Sequence, residues 1–240
     1  MREFKADLHI HTCLSPCAEL EMSPRNIVSM AKRRGLDVIG ICDHNSAENV
    51  PAVEKNAARE GIAVIGGMEV TSKEEVHIVA LFANDEHLFS LQEIVYENLH
   101  GTNDEKLYGE QVIVNEEEEV LGFCPKLLIG ATDLTLEKLV TLIHDLGGLA
   151  IAAHVDREGF GIIGQLGFIP DGLPLDALEL ADPHRRELIP QPHHLPFITA
   201  SDAHTLDRIG QRVTTFFMRS VSLNEIKRCL LGQEGRMVRI

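Results

Sequence analysis

Apolar residues recur along this 240-residue chain in the alternation of a strand or in the stripe spacing of an amphipathic helix. Phe4 to Ile10 reads as a strand, which puts Asp7, His9 and His11 on one face at its end. The loop from Thr12 to Met22 has no periodicity. Ser23-Pro24 then opens a helix, with Ser23 as N-cap and Pro24 in the first turn. Ile27, Val28, Met30 and Ala31 form its buried stripe, and Gly35 stops it. Asp37 to Cys42 is an unbroken apolar run, the pattern of a parallel strand covered on both faces, and it leads into Asp43-His44. A second helix runs from Val50 to Arg59 and ends at Gly61. Ile62 to Val70 is a strand interrupted by Gly66-Gly67, with Glu69 at its end, and His77 to Phe82 is another strand.

Further on, Asp85 to Asn98 has helical spacing, Gly101 to Asn103 breaks it, and Glu116 to Glu119 is an acidic run that reads as a solvated face. The stretch 84–132 is expected to be an insertion or a mobile segment over the mouth of a barrel. Regular order returns with a helix from Thr135 to Leu146 and a strand from Leu149 to Ala153 that delivers His154. A strand from Leu175 to Ala181 precedes Asp182, His184, Arg185 and Arg186. A short strand from Phe197 to Ala200 precedes Ser201-Asp202-Ala203-His204. Thr214 to Met218, a helix from Leu223 to Leu231, and Met237 to Ile240 complete the chain. Strands alternating with helices predict a parallel α/β architecture, and with no repeat or low-complexity linker the chain reads as one domain.

Composition changes this picture little. A hydrophobic fraction of 44% and a charged fraction of 25% are those of an ordinary globular enzyme. The net charge of −15 argues against a generic nucleic-acid coat or an anionic membrane as partner. It leaves an anionic substrate open, because bound cations reverse the local sign. The five cysteines include no C-x-x-C pair and predict no disulfide framework. With no signal peptide and no apolar run of membrane-spanning length, the cytoplasm is the expected location.

The candidate chemistry lies in position. His9, His11, His44, Glu69, His154, Asp202 and His204 all follow apolar, strand-like runs. In parallel barrels the C-terminal strand ends gather on one face, where active sites form. His9 and His11, like Asp202 and His204, are spaced to point the same way, and imidazole is the commonest protein ligand for zinc and similar metals.

These residues, Asp7-Leu8-His9-Ile10-His11, Asp43-His44, the Glu69 to His77 segment, His154 and Ser201-Asp202-Ala203-His204, resemble the PHP (polymerase and histidinol phosphatase) superfamily, in order and over nearly the whole chain. The resemblance implies a distorted (β/α)7 TIM-like barrel in a single domain, a site for two or three zinc, iron or manganese ions, and phosphoesterase chemistry. In it, a water activated between the metals attacks a small phosphorylated substrate such as a sugar, amino-alcohol or nucleotide phosphate, or an oligonucleotide end. His9, His11, Glu69 and Asp202 are similar to the ligands of a first metal, and His44 and His204 to those of a second. Glu69 would bridge to a third, completed by His77 and His154. Cys17 stands where many relatives have His or Asp. A thiolate there would favour zinc or iron; otherwise Glu19, Glu21 or water would complete that metal. Glu69, Asp202 and His184 are the candidate catalytic groups, with His184 or a metal-bound water as proton donor. Arg157, Arg185 and Arg208 are candidates for the phosphate oxygens. Asp7 and Asp43 would orient imidazoles or cap backbone groups. The rival classes are an amidohydrolase-type barrel, disfavoured by Glu69 at the bridging position, and a metal-binding module without catalysis. His193-His194, in a Pro-rich loop, reads as exposed.

Overall fold

The computed structural model describes residues 1–189 and 195–240, so the His193-His194 loop lies outside the described residues. In chain order the elements are β1 (Arg2–Ile10), α1 (Pro24–Arg33), β2 (Val38–Ile41), α2 (Val50–Glu60), β3 (Ala63–Thr71), β4 (His77–Leu81) and α3 (Asp85–Asn98). They continue with α4 (Glu105–Tyr108), β5 (Val112–Val114), β6 (Val120–Phe123), α5 (Leu136–Asp145), β7 (Leu149–Ala152), α6 (Ile162–Leu166) and β8 (Ala177–Leu180). β9 (Phe197–Thr199), β10 (Thr214–Met218), α7 (Leu223–Leu230) and β11 (Met237–Arg239) complete the order.

The main sheet runs β11-β10-β1-β2-β3-β4-β7-β8-β9. It curls until the segment after β9 meets β1: the His11 N–H donates to Ala203 O at 3.0 Å and the Ala203 N–H to His9 O at 3.4 Å. β1, β2, β3, β4, β7, β8 and β9 thus form a nearly closed, barrel-like wall of mixed α/β type, while β10 and β11 add an antiparallel flank. No helix among the described residues is long and apolar enough to cross a membrane.

One expectation from the alternation of strands and helices is corrected. β4 is antiparallel to both β3 and β7. Only Ser72 to Val76 separates β3 from β4, which is enough for a hairpin but far too short for a parallel crossover. The reversal has a chemical consequence. Because Thr71 pairs with His77, the start of β4 lies beside the end of β3, which brings His77 to the mouth of the barrel. The glycines expected to interrupt β3 leave it continuous. Gly67 is needed because a Cβ there would lie 2.5 Å from Ala80 O on the partner strand.

Alternate residues of the same strands feed two apolar clusters. Ile39, Ile41, Met68, Val70 and Ile78 pack against Val28, Val53, Leu91 and Leu139 of the surrounding helices. Val38, Ile65, Val79, Leu81, Ile151 and Ile198 form the other cluster, with Leu223 and Ile226 of α7. Ile65, Gly67 and Glu69 share a face of β3, and Val79 and His77 share a face of β4, so this second cluster is continuous with the polar mouth. A register shift between Asp7 and Ile10 separates Asp7 from His9 and His11 in function. Its carboxylate accepts the N–H groups of Ser201 (2.9 Å) and Gly210 (2.8 Å) instead.

Within 84–132, α3 has the span that its spacing predicts, whereas the β5–β6 hairpin was not expected. The acidic run forms its turn, with Glu118 at φ 68°. Buried amides tie this segment to the loop after β2. Asn45 Nδ2 donates to Leu128 O (2.7 Å) and Gly130 O (2.8 Å), and Asn49 exchanges bonds with Val112 O and Val114 N (both 3.0 Å).

α7 is tied to the sheet by a buried ion pair. Arg236 is 1% exposed, and its Nε and Nη2 donate to the Glu225 carboxylate at 2.9 and 2.6 Å. Arg236, helped by the Arg219 N–H, holds Glu225 down at about 2, against an ordinary value of 4.5. A depressed carboxyl contributes stability that is complete above its unfolded value and is lost as pH falls through the folded one. Glu225→Gln should therefore lower the melting temperature at pH 7 and approach the wild type as pH falls from 4.5 toward 2. Melting followed by circular dichroism across that range tests this; equal melting temperatures at pH 7 would contradict it.

Candidate metal centre

The strand ends converge on Glu69. Its side chain is buried, with Oε1 2.8 Å from His77 Nδ1, 3.1 Å from His154 Nε2 and 3.4 Å from His9 Nε2. Oε2 lies 3.0 Å from His44 Nδ1 and 3.5 Å from His11 Nε2. Asp202 Oδ1 is 3.1 Å from His11 Nε2 and 3.5 Å from His9 Nε2. Three groups place their ligand atoms within 4.8 Å of one another: His9, His11, Glu69 and Asp202; His11, His44 and His204; and His44, Glu69 and His77. The first and third share Glu69, whose two oxygens can serve different cations.

The donor atoms fit divalent ions. His9 Nε2 and His11 Nε2 are 3.2 Å apart and aim at the same carboxylates. His44 Nδ1 is buried and lacks a hydrogen-bond partner among the described residues, although Glu69 Oε2 is close. Imidazole nitrogens with carboxylate oxygens are a donor set that suits divalent metal ions.

Burial alone would neutralise this cluster, but at Glu69, Asp202, His9 and His44 the neighbouring charges outweigh it, whereas burial wins at His77 and His11. His77, His9 and His44 hold Glu69 well below the usual carboxylate range, and His9 and His11 do the same for Asp202. Glu179, Glu69 and Asp202 hold His9 well above the usual imidazole value, and Glu69 and Cys17 hold His44 there. Burial, reinforced by positive His204 and His44, drives His11 well below it.

Asp43 accepts the Thr12 N–H (2.7 Å), the Thr12 hydroxyl (2.7 Å) and the Ser15 hydroxyl (2.6 Å). With its proton given to Asp43, Ser15 Oγ can accept from His11 Nδ1 at 2.9 Å, which leaves the His11 Nε2 lone pair facing the cluster. Asp7 acts on backbone alone; burial pushes its carboxyl up to about 6 against the hydrogen bonds of Ser201 and Gly210. Three non-glycine residues at the mouth have left-handed backbones: Asn45 (φ 50°), His154 (φ 30°) and Asp202 (φ 49°). Such strain concentrates where a site fixes its side chains.

Cys17 is exposed and belongs to none of the three groups, but it interacts with His204 and His44 of the second. Desolvation raises its thiol, but hydrogen bonds with His204 and His44 bring it down to about 6. The proposed phosphate residues separate. Arg157 Nη1 reaches Asp202 Oδ2 at 2.5 Å. Arg185 is exposed and donates to Asp156 O at 3.1 Å. Arg208 and His184 are exposed on 3-10 turns, Leu206–Arg208 and Pro183–Leu188, and neither makes a hydrogen bond or ion pair with the cluster among the described residues. Glu179 and Ser15 escaped the sequence reading. The available signal for Glu179 was a charged residue inside the apolar run Leu175 to Ala181.

A nearly closed α/β barrel with three overlapping groups at one end, one of histidines alone and two that combine His with Glu or Asp, defines a candidate multinuclear metal-binding protein. The chain belongs to the PHP domain family: the PHP domain profile matches residues 7–158, and the PHP-associated profile matches 191–230. It is 25% identical over 258 aligned residues to the uncharacterized protein YqxK of Bacillus subtilis, covering 99% of this chain and 64% of that protein. It is 33% identical over 86 residues to a 5'-3' exoribonuclease of Haemophilus influenzae, covering 35% of this chain and 30% of the relative. The lesion-specific endonuclease PfuEndoQ of Pyrococcus furiosus shares the fold, with a TM-score of 0.75 at 23% identity over 98% of this chain and 57% of the endonuclease. An Endonuclease Q complex, with a TM-score of 0.75 at 24% identity over 98% of this chain and 58% of that chain, holds a 27-mer duplex with an abasic lesion at its active site. The chain thus spans less than two thirds of the length of these relatives.

Proposed function

We propose that this chain hydrolyses a small phosphate ester at a site for two or three divalent ions. The observation that carries this reading is the Glu69 carboxylate, buried between imidazoles on both sides, with Arg157 beside it on Asp202. His9, His11, Glu69 and Asp202 would hold one ion, and His44, His204 and Cys17 a second. His77 and His154, with Glu69, would hold a third. Such ions supply an activated water and polarise the phosphate. The chain's own part is positional. Glu69 and Asp202 keep their charge between the cations, and Arg157 presents its remaining donors to the phosphate oxygens. Arg185 and Arg208, on the rim, would act on the outer part of the substrate, and His184 would deliver the proton to the leaving oxygen from there. Residues 84–132 are the proposed inserted segment over the mouth.

A cavity of ≈ 220 Å³ adjoins Arg157, lined by Val155, Ile163, Arg185, Leu188 and Ile189. Asp156 and Glu158 line it beside the two guanidinium groups, so its charge suits a sugar, amino-alcohol or nucleotide phosphate alike. A longer nucleic acid is the second reading, supported by the two nucleases among the relatives.

Elemental analysis of gently purified protein should find about two to three zinc, iron or manganese ions per chain. Titrating metal into chelated protein should release protons, because His9 and His44 are held protonated and must become neutral to ligate. The loaded protein should hydrolyse p-nitrophenyl phosphate or bis-p-nitrophenyl phosphate but not simple amides. Less than one metal equivalent with no rescue by added ions would refute the proposal, and amide hydrolysis alone would favour the amidohydrolase class.

A further inference from the structure

Glu179 is a buried carboxylate, 1% exposed, that belongs to none of the three ligand groups. It lies in β8, and both of its oxygens are engaged. Oε2 is 3.0 Å and Oε1 3.2 Å from His9 Nδ1, while Oε1 also accepts the His154 N–H at 3.3 Å. Its backbone carbonyl accepts the Val155 N–H at 2.9 Å. One residue thus touches the imidazole on β1 and both amides that frame the left-handed turn at His154.

We infer that Glu179 is a positioning residue that fixes the His9 tautomer and the His154 backbone, and so sets two of the imidazoles around Glu69. This rests on the proposed metal centre, but the contacts themselves do not depend on it. An ionised carboxylate can only accept, so His9 must carry a proton on Nδ1, and any lone pair it offers is on Nε2, 3.4 Å from Glu69 Oε1. Ser15 and Asp43 provide the equivalent control for His11. A single carboxylate serving both His9 and His154 also means that a change at 179 disturbs two imidazoles that approach the same Glu69 oxygen, Oε1.

The substitution that looks most conservative is therefore the most revealing. Two donors face Glu179: His9 Nδ1–H and the His154 N–H. Glutamine keeps one acceptor oxygen and replaces the other with an NH2 group that can only donate. The backbone amide cannot shed its proton, so the glutamine oxygen must go to His154 and its NH2 to His9. That places a donor at the Oε2 position, 3.0 Å from His9 Nδ1, and favours moving the His9 proton to Nε2, the atom meant to ligate. Aspartate keeps both acceptors but is one methylene short.

The experiment combines two readouts on wild type, Glu179→Gln and Glu179→Asp. Nitrogen-15 imidazole spectra of chelated protein, taken at a pH high enough to neutralise His9, should show the Nδ1–H tautomer in the wild type and the Nε2–H tautomer in Glu179→Gln. Competition with a chromophoric chelator should show zinc affinity falling about 10–100-fold in Glu179→Gln, the scale typical of residues that orient metal ligands, with Glu179→Asp in between. A merely structural role would lower the melting temperature of both variants without moving the proton. Retention of the Nδ1 proton in Glu179→Gln, together with wild-type zinc affinity, would overturn the inference. If the wild type binds no zinc, the metal centre fails separately, and the tautomer alone still decides whether Glu179 controls His9.

Discussion

Glu69→Gln should reduce phosphoester hydrolysis by about 10²–10³-fold or more, the scale set by removal of one preorganised electrostatic contact at a reacting centre. Glutamine nearly matches glutamate in shape, so the buried slot between His77, His154, His9 and His44 stays filled. What changes is charge and donor count. One of the two anionic oxygens becomes an NH2 group, which cannot accept and would face either His77 and His154 or His44. The repulsion between neighbouring cations loses its counter-charge, so the loss should appear in metal stoichiometry as well as in rate. The fold should survive, because the apolar layer of Ile65, Val79 and Ile151 beneath the mouth does not involve this side chain. Elemental analysis, a hydrolysis assay and a melting curve on the same preparation test the proposal together. Near-wild-type activity with full metal occupancy would refute the bridging role of Glu69.

Cys17→Ser should cost roughly one metal equivalent, because a neutral hydroxyl is a far weaker ligand than a thiolate. The residue is exposed, and His44 and His204 pull its thiol down to about 6, so much of it is ionised near neutral pH before any cation arrives. Chelated protein should therefore be alkylated rapidly at Cys17, and loaded protein should be protected. Cys17→His or Cys17→Asp should restore the ion, with Asp shifting preference toward manganese because carboxylate is the harder ligand. Cys13, in the same loop, gives the baseline. It is buried, its thiol is pushed up to about 12, and it should label poorly with or without metal. Mass spectrometry of alkylated peptides measures all of this. Equal labelling of Cys17 with and without chelator, in protein shown to hold metal, would remove the thiolate and leave Glu19 or Glu21 as the loop ligand.

Much of the fold was legible in the sequence because strands, helices and caps depend on neighbours a few residues apart. The run at Asp37 to Cys42, the helix at Asp85 to Asn98 and the stop at Gly61, which has φ 72°, each follow from local pattern. The ligand candidates were legible for a related reason. A polar residue at the end of a buried strand has few purposes, and His9 with His11 declare a shared direction by spacing alone.

Tertiary structure decided what depends on partners far along the chain. The direction of β4 was set by a connection too short to cross over, and it determines which end of the barrel receives His77. Asp7 had seemed part of the face that carries His9 and His11, but a register shift in β1 gave it to Ser201 and Gly210. Arg157 reached the cluster while Arg208 and His184 made no bond to it, a difference made by loop paths that no periodicity encodes. Glu179 is the clearest case. Within its own strand it is a charge in an apolar run, and its chemistry exists only because the barrel brings it to His9, 170 residues away. Local pattern tells a chain which residues to bury, but a buried polar group takes its meaning from its hydrogen-bond partner, and only the closed barrel supplies that partner.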